Sequence, residues 1–140
     1  MFIKLNSTLL LQVTWLCLAA SYNLLSLYFI SINEQPLIEG KHLQMLMMLS
    51  FYLIVILLGY CRKLYLYMIL SMLLLIGLFI KGVVPHLYLG LIENDLSRYS
   101  SLYAWLIAIA INIFGLVAFA LGIFQAKARL YSFSETQDLK

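Results

Sequence analysis

The chain has 140 residues, 64% of them hydrophobic and 11% charged, with a net charge of +3. Soluble domains run at about 45–50% apolar and about 25% charged residues, so a soluble fold of this length would lack the polar side chains to cover its surface. So small a net charge, spread around the ends of apolar runs, also excludes a nucleic-acid-binding surface.

Four runs contain no Asp, Glu, Lys or Arg: 5–32, 43–61, 64–80 and 99–126. A bilayer core of roughly 30 Å needs about 20 apolar residues in helical form. The expected spans are therefore 8–31, 42–61, 64–82 and 100–125. The third is short and is completed by Lys81, whose stem can snorkel to the interface. The fold class is all-α: an integral membrane four-helix bundle over residues 1–126, followed by a polar cytoplasmic tail at 127–140 that is expected to fray.

The first run begins like a signal peptide, with Lys4, an apolar core and Cys17-Leu18-Ala19 before Ala20. An h-region is about 7–15 residues, and here the apolar run continues to Ile32, so an uncleaved first helix is expected. Leu16 stands where a lipoprotein signal needs a small residue before Cys17. Cys17 and Cys61 lie at different depths, which rules out a disulfide between them. Both read as small packing residues.

The second and third runs are joined only by Arg62-Lys63. So short a turn makes these helices adjacent and antiparallel. Basic residues near span ends face the cytoplasm. Lys4, Arg62, Lys63, Lys127 and Arg129 fall on one side, against Lys41, Lys81 and Arg98 on the other. Both termini are therefore expected in the cytoplasm, and the protein in the inner (cytoplasmic) membrane. Tyr60, Tyr65 and Tyr67 mark the inner interface as an aromatic belt, with Tyr88, Tyr99, Tyr103 and Trp105 marking the outer one.

The connection after the third run breaks at Gly82-Val83-Val84-Pro85, because Pro85 lacks an amide donor and restricts its predecessor. The apolar piece 86–92 is too short to span and is expected to lie flat or to re-enter. Asn94 or Asp95 is the expected cap of the fourth helix. The register of the hairpin brings His42 and His86 to one outer mouth, in reach of Glu39, Lys41, Lys81, Glu93 and Asp95.

The fourth run carries a stripe of small residues. Ala104, Ala108, Gly115, Ala118, Gly122 and Ala126 fall within about 40° of one line at 100° per residue. Ser97 and Ser100 extend it outward. Lipid tails are as apolar as leucine, so close backbone approach must hold membrane helices together. Asn112 lies beside the stripe and reads as an interhelical hydrogen-bonding residue, or as a polar ligand or quinone contact. The other polar residues of the runs are Gln12, Thr14, Ser21, Asn23, Ser26, Ser50 and Ser71.

No Asp, Glu, Lys, Arg or His lies within the runs, which argues against a proton- or cation-coupled carrier. Nothing matches a nucleophilic, nucleotide or zinc motif, so the chain reads as non-enzymatic. The expected role is an accessory or structural subunit that packs against a larger membrane protein or a second copy. Ala104, Ala108, Asn112, Gly115, Ala118 and Gly122 are the expected helix-packing residues, set against another helix of this chain, with a helix of another protein as the alternative. The chain's partners are then the lipid bilayer and another membrane protein, and no cofactor is expected. Three readings compete. One is a small-solute or ion transporter. The second is a haem, metal or quinone site at the His42/His86 mouth, with copper on His42, Met45 and Met48 as one form. The third is an interfacial lipid enzyme using His86 and Glu93.

Overall fold

The computed structural model describes residues 5–138, with side chains described through residue 132. Lys4 lies outside the described residues. Four helices are long and apolar enough to cross a membrane: Leu5–Ser31, His42–Tyr60, Leu64–Ile92 and Leu102–Ser132. Helices suit such runs because each backbone donor and acceptor is satisfied within its own segment. The regular helices are α1 (Leu5–Ser31), α2 (His42–Tyr60), α3 (Leu64–Leu78), the short α4 (Val84–Leu87) and α5 (Leu102–Asp138). Among the described residues there is no strand, only one antiparallel bridge, Ile38 with Tyr99.

Two helix ends close through left-handed residues. Asn33, at φ 59°, ends α1, with its amide bonded to the Ile30 carbonyl and the Glu34 amide to that of Phe29. Arg62, at φ 58°, ends α2 in the same way, its amide bonded to Gly59 and that of Lys63 to Leu58. This paired closure satisfies carbonyls that a helix end leaves free. Asparagine tolerates the left-handed region; for arginine it costs roughly 1–2 kcal/mol.

The third span departs from the expected ending at residue 82. The chain does not leave the helical path at Pro85 but widens. Phe79–Val83 is a π-helical turn, with the Val84 amide bonded to the Phe79 carbonyl. α4 follows, then a second π turn at Tyr88–Ile92. Residues 86–92 therefore prolong the third helix rather than lying flat or re-entering as a separate piece. The extra residue in a π turn shifts the hydrogen-bond ladder, which accommodates a proline without a bend into a loop. The fourth helix also runs on, to Asp138, where a frayed tail was expected.

The core forms two zones. Near the Arg62-Lys63 end and through the middle, Leu5, Leu9, Trp15, Tyr52, Ile56, Tyr67 and Phe119 are buried together. Trp15, Tyr52 and Phe119 make a three-ring cluster, with centroids 4.9, 5.4 and 5.5 Å apart and tilted or edge-on planes. Such geometry sets ring edges against ring faces. At the opposite end Tyr99, Ala104, Trp105, Ala108 and Ile109 form the second zone, with Leu37, Ile38 and Tyr22 against it.

Candidate functional site

The small residues of the fourth helix face the inside of the bundle. Ala104, Ala108, Ala118 and Ala126 are buried, as are Gly115 and Gly122. Each glycine makes room for a particular group. A Cβ on Gly115 would overlap the Trp15 indole, and one on Gly122 would overlap the Tyr67 hydroxyl and the Gln12 amide. Ser97 and Ser100, expected to lengthen the stripe, are exposed and precede the helix. Its first turn is capped by Ser101, whose Oγ accepts the Ala104 amide at 3.2 Å. Asp95 caps no helix and instead braces the preceding loop, where its Oδ1 accepts the Ser97 amide at 2.8 Å. That bond holds the Asp95 carboxyl below its usual range.

Some polar side chains within the helices join one element to another, whereas Thr8, Thr14 and Asn23 donate to carbonyls of their own helix. Gln12 Nε2 donates to Tyr67 Oη at 2.7 Å and to the Ala118 carbonyl at 3.2 Å, linking α1, α3 and α5. Tyr52 Oη donates to the Leu74 carbonyl at 3.2 Å. Asn112 Nδ2 donates to the Gly82 carbonyl at 3.0 Å, within the first π turn. Tyr22 Oη donates to the Ala104 carbonyl at 3.0 Å. The backbone groups so reached lie in apolar surroundings, where few other partners are available.

The two histidines have separate partners. His42 is 3% exposed and its Nδ1 lies 3.2 Å from Asn23 Oδ1 on α1. Its Nε2 is buried without a protein partner. The His86 ring instead hydrogen-bonds the Tyr99 hydroxyl through Nδ1, while its carbonyl accepts Trp105 Nε1 at 2.8 Å. The proposed His42, Met45 and Met48 set is not on one side of its helix: His42 points inward, and Met45 and Met48 are exposed. The helical angle between positions three apart is large enough to carry a residue past the edge of a buried face. Among the described residues no group of three or more His, Cys, Asp or Glu converges to hold a metal. Glu39, Lys41, Lys81, Glu93 and Asp95 are exposed around this end.

The loops at this end are themselves tied together. The Glu39 amide bonds the Arg98 carbonyl at 2.8 Å, and the Ser100 amide bonds that of Leu37 at 3.3 Å. Tyr99 sits between them, 4% exposed, under Ile38 and beside His86. Burial pushes its phenol pKa up, and the adjacent Arg98 charge pulls weakly the other way.

Several assignments from residue type alone need correction. Tyr67, Tyr99 and Trp105 are buried rather than part of an interfacial belt, whereas Tyr60, Tyr65, Tyr88 and Tyr103 are exposed. Cys17 and Cys61 are exposed, not packed in the core. The Gln12–Tyr67 link and the fit of Trp15 to Gly115 had no local signal beyond one glutamine and one tryptophan in an apolar run. No family profile, no characterised protein and no solved structure matches this chain.

Proposed function

We propose that this chain is a non-enzymatic, multi-pass protein of the inner membrane, with both termini in the cytoplasm, acting as an accessory or structural subunit. It packs beside a larger membrane protein or a second copy of itself. One observation carries the reading: six polar side chains of the helices serve as joints. Gln12, Tyr22, Tyr52, His86, Trp105 and Asn112 are each engaged in fastening a helix to another helix or to a loop. Such a set builds a fixed scaffold. A carrier needs polar or ionisable groups that change partners during its cycle.

The surface complements this reading. The stripe of Ala104, Ala108, Gly115, Ala118 and Gly122 is used inside the bundle, so contact with a neighbour falls to other faces. α2 packs on α1 and α3 and turns Met45, Met47, Phe51 and Ile54 outward. Methionine-rich faces adapt to irregular partners.

Purification of tagged protein in mild detergent, with native mass spectrometry of the product, tests the proposal. The expected result is a stoichiometric complex with a second membrane protein, or a defined homo-oligomer. A lone monomer carrying haem, or one that conducts ions or solutes in proteoliposomes, would replace it. A protein that stays in the aqueous phase without detergent would remove the membrane reading itself.

A further inference from the structure

The turn between the second and third spans meets the fourth helix at a concave surface. Arg62, Leu64 and Arg129 line a cleft of about 380 Å³. A second, of about 450 Å³, shares Arg62 and Leu64 and adds Lys63, Leu66 and Leu130. Cations from two separate parts of the chain therefore border one depression with an apolar flank. No carboxylate among the described side chains pairs with Arg62, Lys63 or Arg129. Lys127 is not part of this set, since its Nζ lies over the Tyr131 ring, 5.8 Å from the centroid.

Like charges that border one depression repel, and a bound anion removes that repulsion. Guanidinium groups match phosphate oxygens in fork geometry, and lysine adds a point charge. The position selects further. The cleft lies where the apolar helices end, so its cations sit at headgroup depth and Leu66 and Leu130 at the start of the hydrocarbon. The uncapped first turn of α3 opens onto the same place. Arg62 occupies a left-handed position that glycine or asparagine would fill with less strain, so the backbone gives no reason for an arginine there.

We propose that this cleft binds a phosphate-bearing anion, the headgroup of an anionic phospholipid, through Arg62, Lys63 and Arg129, with the acyl chains along Leu66 and Leu130. The assignment rests on the four helices crossing a membrane, and not on the identity of any protein partner.

Full-length protein in detergent, titrated with phosphatidylglycerol or phosphatidylcholine and read by native mass spectrometry, is the test. Phosphatidylglycerol should be retained in preference to phosphatidylcholine. Losing one arginine should weaken it about fivefold, and losing both about thirtyfold. Arg62→Gly separates binding from folding: it relieves the left-handed backbone, so lipid-free thermal stability should hold or rise while lipid retention falls. Arg129→Gln should act in the same direction, and Lys127→Gln should change little. Inorganic phosphate is the competing probe. If it leaves phosphatidylglycerol bound, the ligand is the lipid; if it displaces the lipid at millimolar concentration, the same site takes a soluble phosphate. Equal retention of the two lipids, or wild-type retention by the doubly substituted protein, would overturn the proposal. A monomer that still holds phosphatidylglycerol would sink the subunit reading and leave this one standing.

Discussion

Gly122 lies where the Tyr67 hydroxyl and the Gln12 amide approach the fourth helix, and a methyl group added there would come within 2.5 Å of Gln12 Nε2. Gly122→Ala should therefore lower stability by about 1–3 kcal/mol, the usual range for overpacking. Gly77 offers the contrast, since a Cβ there meets nothing within 4 Å. Gly77→Ala should be neutral or stabilising by up to about 1 kcal/mol, because alanine is the better helix former. Denaturation in detergent compares the two, and equal midpoints would show that Gly122 is not a contact point. Adding Tyr67→Phe to Gly122→Ala should recover part of the loss, because the hydroxyl is the group in the way. Tyr99 carries a prediction about pH. Its folded pKa is raised, so the native state keeps the phenol proton at pH values where the unfolded chain releases it. Stability is unaffected well below pH 10, the ordinary tyrosine value, and falls as pH rises through the interval up to the folded pKa. Tyr99→Phe should lessen that alkaline loss in melting curves taken from pH 8 to pH 11, although it also removes the bond to His86.

At the scale of elements, the third span depends on a residue thirty positions away. Asn112 gives the Gly82 carbonyl a donor inside a π turn, next to a proline that cannot donate. Asn112→Ala should destabilise the bundle by about 0.6–1.7 kcal/mol, the range for polar contacts between membrane helices. The loss should be local first, seen as faster amide exchange over residues 83–88 than in the wild type. Unchanged exchange there, with exchange raised elsewhere, would mean that Asn112 supports the fold by another route. This element also shows what residue order can and cannot convey. Gly82-Val83-Val84-Pro85 announced a departure from α geometry, because a missing donor is a local fact. Whether the chain would turn out of the helix or widen within it depended on Asn112 and on the Trp105 indole reaching the His86 carbonyl. Those are contacts between distant segments, which no window along the sequence contains. Residue periodicity placed Ala108, Gly115 and Gly122 on one line for a simple reason: helical geometry is itself local. It did not say what would press against that line.

For the molecule as a whole, the four helices were legible because charge is excluded from long runs, and that exclusion needs no knowledge of packing. The joining of the two loops by the Ile38–Tyr99 bridge was not, because it is made by backbone groups whose pairing any sequence can adopt. The antiparallel arrangement sets Leu9 of α1 beside Gly59 and Tyr67, and so puts the N-terminal end of α1 at the Arg62-Lys63 turn. Gln12, Tyr67 and Ala118 then share one depth, which brings the fourth helix back to the same end. One label therefore reports on the side of both chain ends. Cys61 is exposed and adjoins Arg62, while Cys17 is exposed but lies two positions beyond Trp15, in the middle of an apolar helix. A thiol reacts as its thiolate, which forms in water and not in hydrocarbon. A membrane-impermeant maleimide should label the protein only after cells are opened, and Cys61→Ser should abolish the label while Cys17→Ser leaves it. Labelling of Cys61 in intact cells would place the basic turn and both termini outside, against the bias of Arg62, Lys63, Lys127 and Arg129.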